Sequence, residues 1–216
     1  TPIILLVIFT TSTSYAKKAA IVIDFDTKEV LFEVNANTKN YPASLTKIMT
    51  LYILFDRLEK KQITNQTKLK VSRIAASRSP SKLYLEEGST IKVEDAIMAL
   101  IIKSANDVAT VVAENISGTE KDFAKLMTSY ARNLGMTSTT FKNASGLPNR
   151  AQLTTARDIS ILSHALISNF PKQYKLFNTQ KFTYKGKTYK THNKLMLSYE
   201  GADGIKTGYI RASGFQ

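Results

Sequence analysis

A chain of 216 residues with 30 Lys and Arg against 17 Asp and Glu carries a formal charge of +13, and 43% of it is hydrophobic, enough for one or two globular domains. It contains no cysteine, which excludes thiol nucleophiles, thiolate metal sites, iron–sulfur clusters and disulfide frameworks. Only His164 and His192 offer imidazole chemistry, so a His-rich zinc site is excluded, and a catalytic serine outside their reach needs a different base.

The segment Thr1 to Ala16 is uncharged, runs apolar from Pro2 to Phe9 and ends in Ser14-Tyr15-Ala16 ahead of Lys17-Lys18. That is the pattern of an export signal, an apolar core followed by a small-residue cleavage site. The alternatives are a core strand or a membrane anchor, and the apolar run is too short to span a bilayer. Without an initiator Met or a basic start, residues 1–16 are read as a partial signal peptide, and the protein is expected to be exported to the periplasm or the outer face of the cytoplasmic membrane. The excess positive charge could attract nucleic acid, anionic lipid or an anionic wall polymer. No nucleic-acid-binding motif accompanies it, so no nucleic-acid partner is expected and a solvated basic surface is the simplest reading.

Two short strands around Asp24-Phe25-Asp26-Thr27-Lys28 predict a β-hairpin within 19–36. After Pro42, the stretch from Ser44 to Phe55 is apolar nearly all round and closes with charged residues from Asp56 to Lys61, which predicts a helix in the middle of the protein. Helical periodicity returns over 93–102 and over 123–134, the second stopping at Gly135. A threonine cap at Thr154-Thr155 opens another helix that runs to about Ser168. Strand patterns follow at 181–184 and 204–210. Helices between strands at the two ends of the chain predict an α+β fold in one domain.

Ser44 and Lys47 stand three apart at the head of the central helix, so the amine can reach the hydroxyl. A lysine is a base only when neutral, and burial and a neighbouring cation both lower its pKa. Backbone N–H groups at a helix start favour a developing oxyanion. The same spacing at Ser79-Pro80-Ser81-Lys82 lies in a polar, proline-interrupted stretch and is read as chance. Ser104-Ala105-Asn106 can point a hydroxyl and a carboxamide into one cleft, although by itself it also reads as an ordinary helix cap. On a strand, Lys206 and Gly208 share a face; Lys206 and Thr207 suit a carboxylate, and Gly208 lets a ligand lie against the backbone.

In this order the three elements form the set found in penicillin-binding proteins and serine β-lactamases. The wording, Tyr41-Pro42-Ala43-Ser44-Leu45-Thr46-Lys47-Ile48-Met49-Thr50, Lys103-Ser104-Ala105-Asn106-Asp107, Gly146-Leu147 and Asp203-Gly204-Ile205-Lys206-Thr207-Gly208, closely resembles the low-molecular-mass D-alanyl-D-alanine carboxypeptidases of bacterial cell-wall maturation. The resemblance runs from about Ala19 to Gln216. It implies a β-lactamase/transpeptidase-like fold, an antiparallel sheet flanked by helices with a helical region between the hairpin and the later strands. It further implies that Ser44 attacks the penultimate D-alanine carbonyl of a peptidoglycan stem pentapeptide while Lys47 takes its proton. Ser104 would relay a proton to the leaving D-alanine, and Asn106 would hold the substrate amide. Lys206 and Thr207 would bind the terminal carboxylate, with Lys206 keeping Lys47 neutral, and the N–H groups of Ser44 and Tyr209 would form the oxyanion hole. Penicillins would acylate the same serine and leave slowly, and neither metal nor cofactor is required.

The alternatives are a D,D-endopeptidase, a β-lactamase, or a non-catalytic wall-binding protein on the same scaffold. The commonest β-lactamases use a glutamate downstream of the Ser-x-Asn element, and none lies between Glu120 and Glu200. By the same resemblance, residues 17–216 are expected to form a catalytic domain incomplete at its C-terminus. The remaining strands and a closing helix would lie beyond Gln216, as would any membrane-anchoring segment, and residues 17–216 alone are expected to aggregate and to bind penicillin poorly. His192 is a weak binding candidate, and His164 is expected to pack within its helix or to be solvated.

Overall fold

The structure, a computed structural model, describes residues 18–212 and 214–215; the segment expected to be a signal peptide lies outside the described residues. Ala20–Ile23 (β1) and Val30–Val34 (β2) form the expected antiparallel hairpin, with a register shift between Val22 and Ile23. Its turn closes because Asp24 Oδ1 accepts from both the backbone N–H and the hydroxyl of Thr27, each at 2.8 Å.

Thr46–Glu59 (α1) is the central helix, and every residue from Thr46 to Phe55 is buried. Leu51, Ile53, Leu54 and Phe55 are fully enclosed, each contributing about 1.5–3 kcal/mol by leaving water. A helix apolar on all sides can sit only where neighbours cover it from every direction.

Beyond α1 come two three-residue strands, Lys68–Lys70 (β3) and, after the short helix Arg73–Ser77 (α2), Thr90–Lys92 (β4), paired antiparallel. Val93–Met98 (α3) then continues into a π-helical turn, Ala99–Lys103. Asn106–Ser117 (α4) and Glu120–Asn133 (α5) pack on α1. The Thr119 hydroxyl caps α5 by accepting from the Asp122 N–H at 3.0 Å.

Ala156–Asn169 (α6) starts where expected, with Thr155 Oγ1 accepting from the Asp158 N–H at 3.0 Å, and it too packs on α1. Arg157 ties it to the hairpin through an ion pair with Glu33 and a 2.8 Å bond to Asn37. His164 packs as anticipated: its ring stacks on Phe25 at 4.8 Å and its Nε2 meets the Phe25 carbonyl at 3.1 Å. Pro171–Tyr174 (α7), the hairpin of Lys181–Tyr184 (β5) and Lys187–Lys190 (β6), and the short pair of Tyr209–Ile210 (β7) and Gly214–Phe215 (β8) complete the chain.

Helices thus combine with antiparallel strand pairs, one of them between α1 and α3, in an α+β arrangement. Among the described residues the strands form four separate two-stranded ladders. Two details depart from expectation: the β3–β4 ladder has no counterpart among the predicted elements, and only Tyr209–Ile210 of the predicted 204–210 strand is in a ladder. A strand exists by the neighbour it bonds, and the segment carrying Lys206 is held by side chains instead. Tyr174 Oη donates to Asp203 Oδ1 at 2.6 Å, and Asn193 Nδ2 donates to the Gly204 carbonyl at 3.1 Å.

Candidate active site

Ser44 sits in a 3-10 turn, Ala43–Leu45, that leads directly into α1. One turn on, Lys47 is fully buried, and its Nζ donates to Ser44 Oγ at 3.3 Å, Asn106 Oδ1 at 2.8 Å and the Ser145 carbonyl at 2.5 Å. Burial, reinforced by the positive charge of Lys206, pushes the Lys47 pKa well below its ordinary value; Asp107 and Glu120 oppose the shift. An amine held this way can exist neutral beside the hydroxyl, and a neutral amine can take its proton.

Ser104 follows the π-helical turn with φ 56° and ψ 40°, a left-handed conformation that costs a non-glycine residue about 1–2 kcal/mol. Strain of this kind concentrates at functional sites. Its Oγ is buried and has no hydrogen-bond partner among the described residues. The competing cap reading fails here: Ala105 occupies the N-cap position of α4 and no side chain caps it. Asn106 is fixed at both ends of its amide, Oδ1 on Lys47 and Nδ2 donating to the Ser79 carbonyl at 3.1 Å. Its backbone N–H donates to the Ser81 carbonyl at 2.7 Å. The second serine–lysine spacing thus contributes backbone carbonyls, while Lys82 Nζ turns away to the Ala76 carbonyl at 2.7 Å.

The third wall of the site is the loop after Phe141. Asn143 Oδ1 accepts from the N–H groups of Ser145 at 3.2 Å and Gly146 at 2.7 Å, and buried Gln152 accepts from the N–H groups of Lys142 and Asn143. This folds the chain so that the Ser145 carbonyl faces Lys47. Gly146, at φ +86°, lies against the Ala43 carbonyl so closely that a Cβ built on it would stand 1.7 Å from that oxygen.

Ser44, Ser104, Asn106, Gly146, Thr207, Gly208 and Tyr209 share a cleft of about 770 Å³, so seven of the residues singled out from sequence meet in one place. Lys206 stands behind its wall, lining the adjacent apolar groove with Leu45, Ile48 and Ile205. Its Nζ donates to the Thr207 carbonyl at 2.9 Å, and burial lowers its pKa to about 8. His192 lines the cleft together with Lys194 and Arg211. Burial, then the charges of Lys206 and Lys103, push its pKa down. The cations of the rim, Lys194 and Arg211, favour an anionic ligand. The Ser145 and Ser79 carbonyls went unread in the sequence because a backbone carbonyl carries no residue signature; Gly146-Leu147 marked the first loop, and the second lay in the Ser79-Pro80-Ser81-Lys82 stretch read as chance. Among the described residues no group of His, Asp or Glu could hold a metal ion, and no helix is long and apolar enough to cross a membrane.

Known proteins resemble this chain along most of its described length. A family model described as D-alanyl-D-alanine carboxypeptidase, peptidase family S11, matches residues 8–216. The carboxypeptidase DacF of Bacillus subtilis is 36% identical over 208 residues, covering 93% of this chain and 52% of its own. DacC of Escherichia coli is 35% identical over 205 residues, covering 92% and 51%. The chain spans about half the length of the curated relatives it matches. Among solved structures, DacD of Francisella tularensis superposes with a TM-score of 0.87 at 28% identity, covering 91% of this chain and 60% of that one. Penicillin-binding protein D2 of Listeria monocytogenes in its ampicillin-bound form gives 0.82 at 33% identity, covering 91% and 81%. The fold is that of the penicillin-binding proteins.

Proposed function

Because the chain belongs to the D-alanyl-D-alanine carboxypeptidase family, we propose that it is a serine peptidase that removes the terminal D-alanine from peptidoglycan stem peptides through an acyl-enzyme. The observation that carries the reading is the buried Lys47 amine within hydrogen-bond reach of the Ser44 hydroxyl.

Lys47 takes the Ser44 proton as Oγ attacks the penultimate carbonyl, and the N–H groups of Ser44 and Tyr209 receive the oxyanion. Ser104, its hydroxyl free of protein partners among the described residues, passes a proton to the departing amine. Asn106 orients the substrate amide, Gly208 leaves room for its backbone, and Thr207 holds the terminal carboxylate, drawn in by the charge of Lys206 behind the cleft wall and by the cationic rim. A water molecule then releases the acyl group. Its substrate lies outside the cytoplasm, and β-lactams enter the same path as covalent inhibitors; the similar Listeria protein has been solved in an ampicillin-bound form.

The test, made on the protein at its natural length, is a fluorescent penicillin together with a peptide ending in D-alanyl-D-alanine. One label per chain on the Ser44 peptide, persisting for minutes, is expected, with release of D-alanine from the peptide. Labelling of Ser79 instead, or rapid multiple turnover of penicillin, would overturn the reading.

The latch on the Lys206 segment gives a second measurement. Tyr174→Phe removes the hydroxyl that Asp203 accepts at 2.6 Å, a charge-assisted bond of about 1.5–3 kcal/mol. If the segment holds the substrate carboxylate, KM for the peptide should rise about 10-fold while kcat changes little. An unchanged KM would show that the segment keeps its place without the latch.

A further inference from the structure

Glu120, the first residue of α5, turns its carboxylate inward rather than toward solvent: its side chain is 12% exposed. Oε1 accepts from the Ala144 N–H at 3.2 Å and the Thr110 hydroxyl at 3.3 Å. Oε2 accepts from Arg78 Nη2 at 2.5 Å. The Ala144 peptide is also gripped on its other side, where its carbonyl accepts from Thr50 Oγ1 at 2.7 Å. The next carbonyl along, that of Ser145, is the one that receives the Lys47 amine. Arg78 in turn adjoins Ser79, whose carbonyl holds Asn106, the other oxygen partner of that amine. A single ion pair therefore joins the two loops that bound Lys47.

We propose that Glu120 is a positioning residue for the proposed acylation: through Ala144 it fixes the Ser145 carbonyl against the Lys47 amine, and with Arg78 it sets the charge that amine feels. This rests on the serine-peptidase reading above. The charged groups acting on Lys47 are Lys206 from the segment before β7, Asp107 from α4 and Glu120 from α5, and Arg78 is the cation paired to Glu120. Negative charge on Glu120 favours the protonated lysine, so removing it frees the base at lower pH, and removing Arg78 does the reverse.

The experiment measures penicillin acylation against pH for the full chain and for Glu120→Gln, Glu120→Ala and Arg78→Gln, with rates expressed per active site by stoichiometric labelling. Glu120→Gln keeps an oxygen for Ala144 but loses the charge. On the acid limb its rate, as a fraction of its own plateau, should exceed that of the parent by about 3- to 10-fold, while Arg78→Gln should fall below the parent. Glu120→Ala, which releases the Ala144 peptide, should lower the plateau by about 10²-fold. A support acting only on folding would change the active fraction and leave the profiles superimposed; superimposed profiles would overturn the proposal. The titration of Lys47, followed through the ε-carbon resonance of 13C-labelled lysine in parent and Glu120→Gln, needs no turnover. A natural-length parent that fails to take up penicillin would sink the peptidase reading, while an unmoved Lys47 titration in Glu120→Gln would sink the role of Glu120.

Discussion

Lys47→Arg is expected to slow acylation by penicillin about 10²- to 10⁴-fold, the contribution of a positioned general base. The substitution keeps a cation near Ser44 but fixes its protonation, because a guanidinium does not give up its proton in proteins. Lys47→Met is the companion variant: it retains an unbranched stem, removes the amine altogether, and should also lose acylation. A Lys47→Arg protein that acylates at nearly the parental rate would show that another group accepts the Ser44 proton.

The pH profile adds direction. Acylation should rise with pH as Lys47 loses its proton, along a limb lying well below the free-lysine range. Binding of a carboxylate should weaken as pH climbs past about 8, where Lys206 loses the charge that attracts it. The alkaline decline cannot be blamed on unfolding driven by this group. The unfolded chain, with Lys206 near 10.5, binds more protons than the folded one between about 8 and 10.5, so this lysine makes stability rise with pH across that window.

The parts of the molecule legible in the sequence are those in which residue type dictates geometry. Ser44 and Lys47 are one helical turn apart wherever a helix begins at Thr46, and the apolar run to Phe55 forces that helix inward. Thr155 ahead of Asp158 marks the start of α6, and Gly135 the end of α5, through local hydrogen bonding alone. What stayed hidden depends on distant partners. The β3–β4 ladder joins three-residue strands about twenty positions apart, too short to show a period. The residues from Gly204 to Gly208 alternate as a strand does, yet a ladder needs a neighbouring backbone, and the segment is secured by Tyr174 and Asn193 instead. At the site, Lys47 takes two of its three oxygen partners from the groups that sequence reading named, Ser44 and Asn106. The third belongs to the Ser145 backbone, and Glu120, which steadies it, looks in the sequence like any acid in the first turn of a helix.

Gly146→Ala is expected to cut acylation by about 10²-fold even though it adds one methyl group. The new Cβ would lie 1.7 Å from the Ala43 carbonyl oxygen, 2.3 Å from its carbon and 3.0 Å from the Ser44 nitrogen. All three are backbone atoms, so no side-chain rotation can relieve the clash. The glycine cannot retreat cheaply, because its N–H is held by Asn143 Oδ1 at 2.7 Å. Nor is the opposite wall compliant: Ala43 is buried and already at φ 45°. The peptide that must yield is the one that carries the Ser44 N–H, and a displacement of about 1 Å there is enough to cost two orders of magnitude in rate. Gly135→Ala separates the clash from the backbone strain. Gly135 has a similar φ of +89° but nothing within 4 Å of a built Cβ. It should lose only the left-handed preference, about 1–2 kcal/mol, which lowers Tm by a few degrees and leaves acylation per folded molecule unchanged. If Gly146→Ala matched Gly135→Ala in both readouts, the contact with Ala43 would be irrelevant to placing the nucleophile.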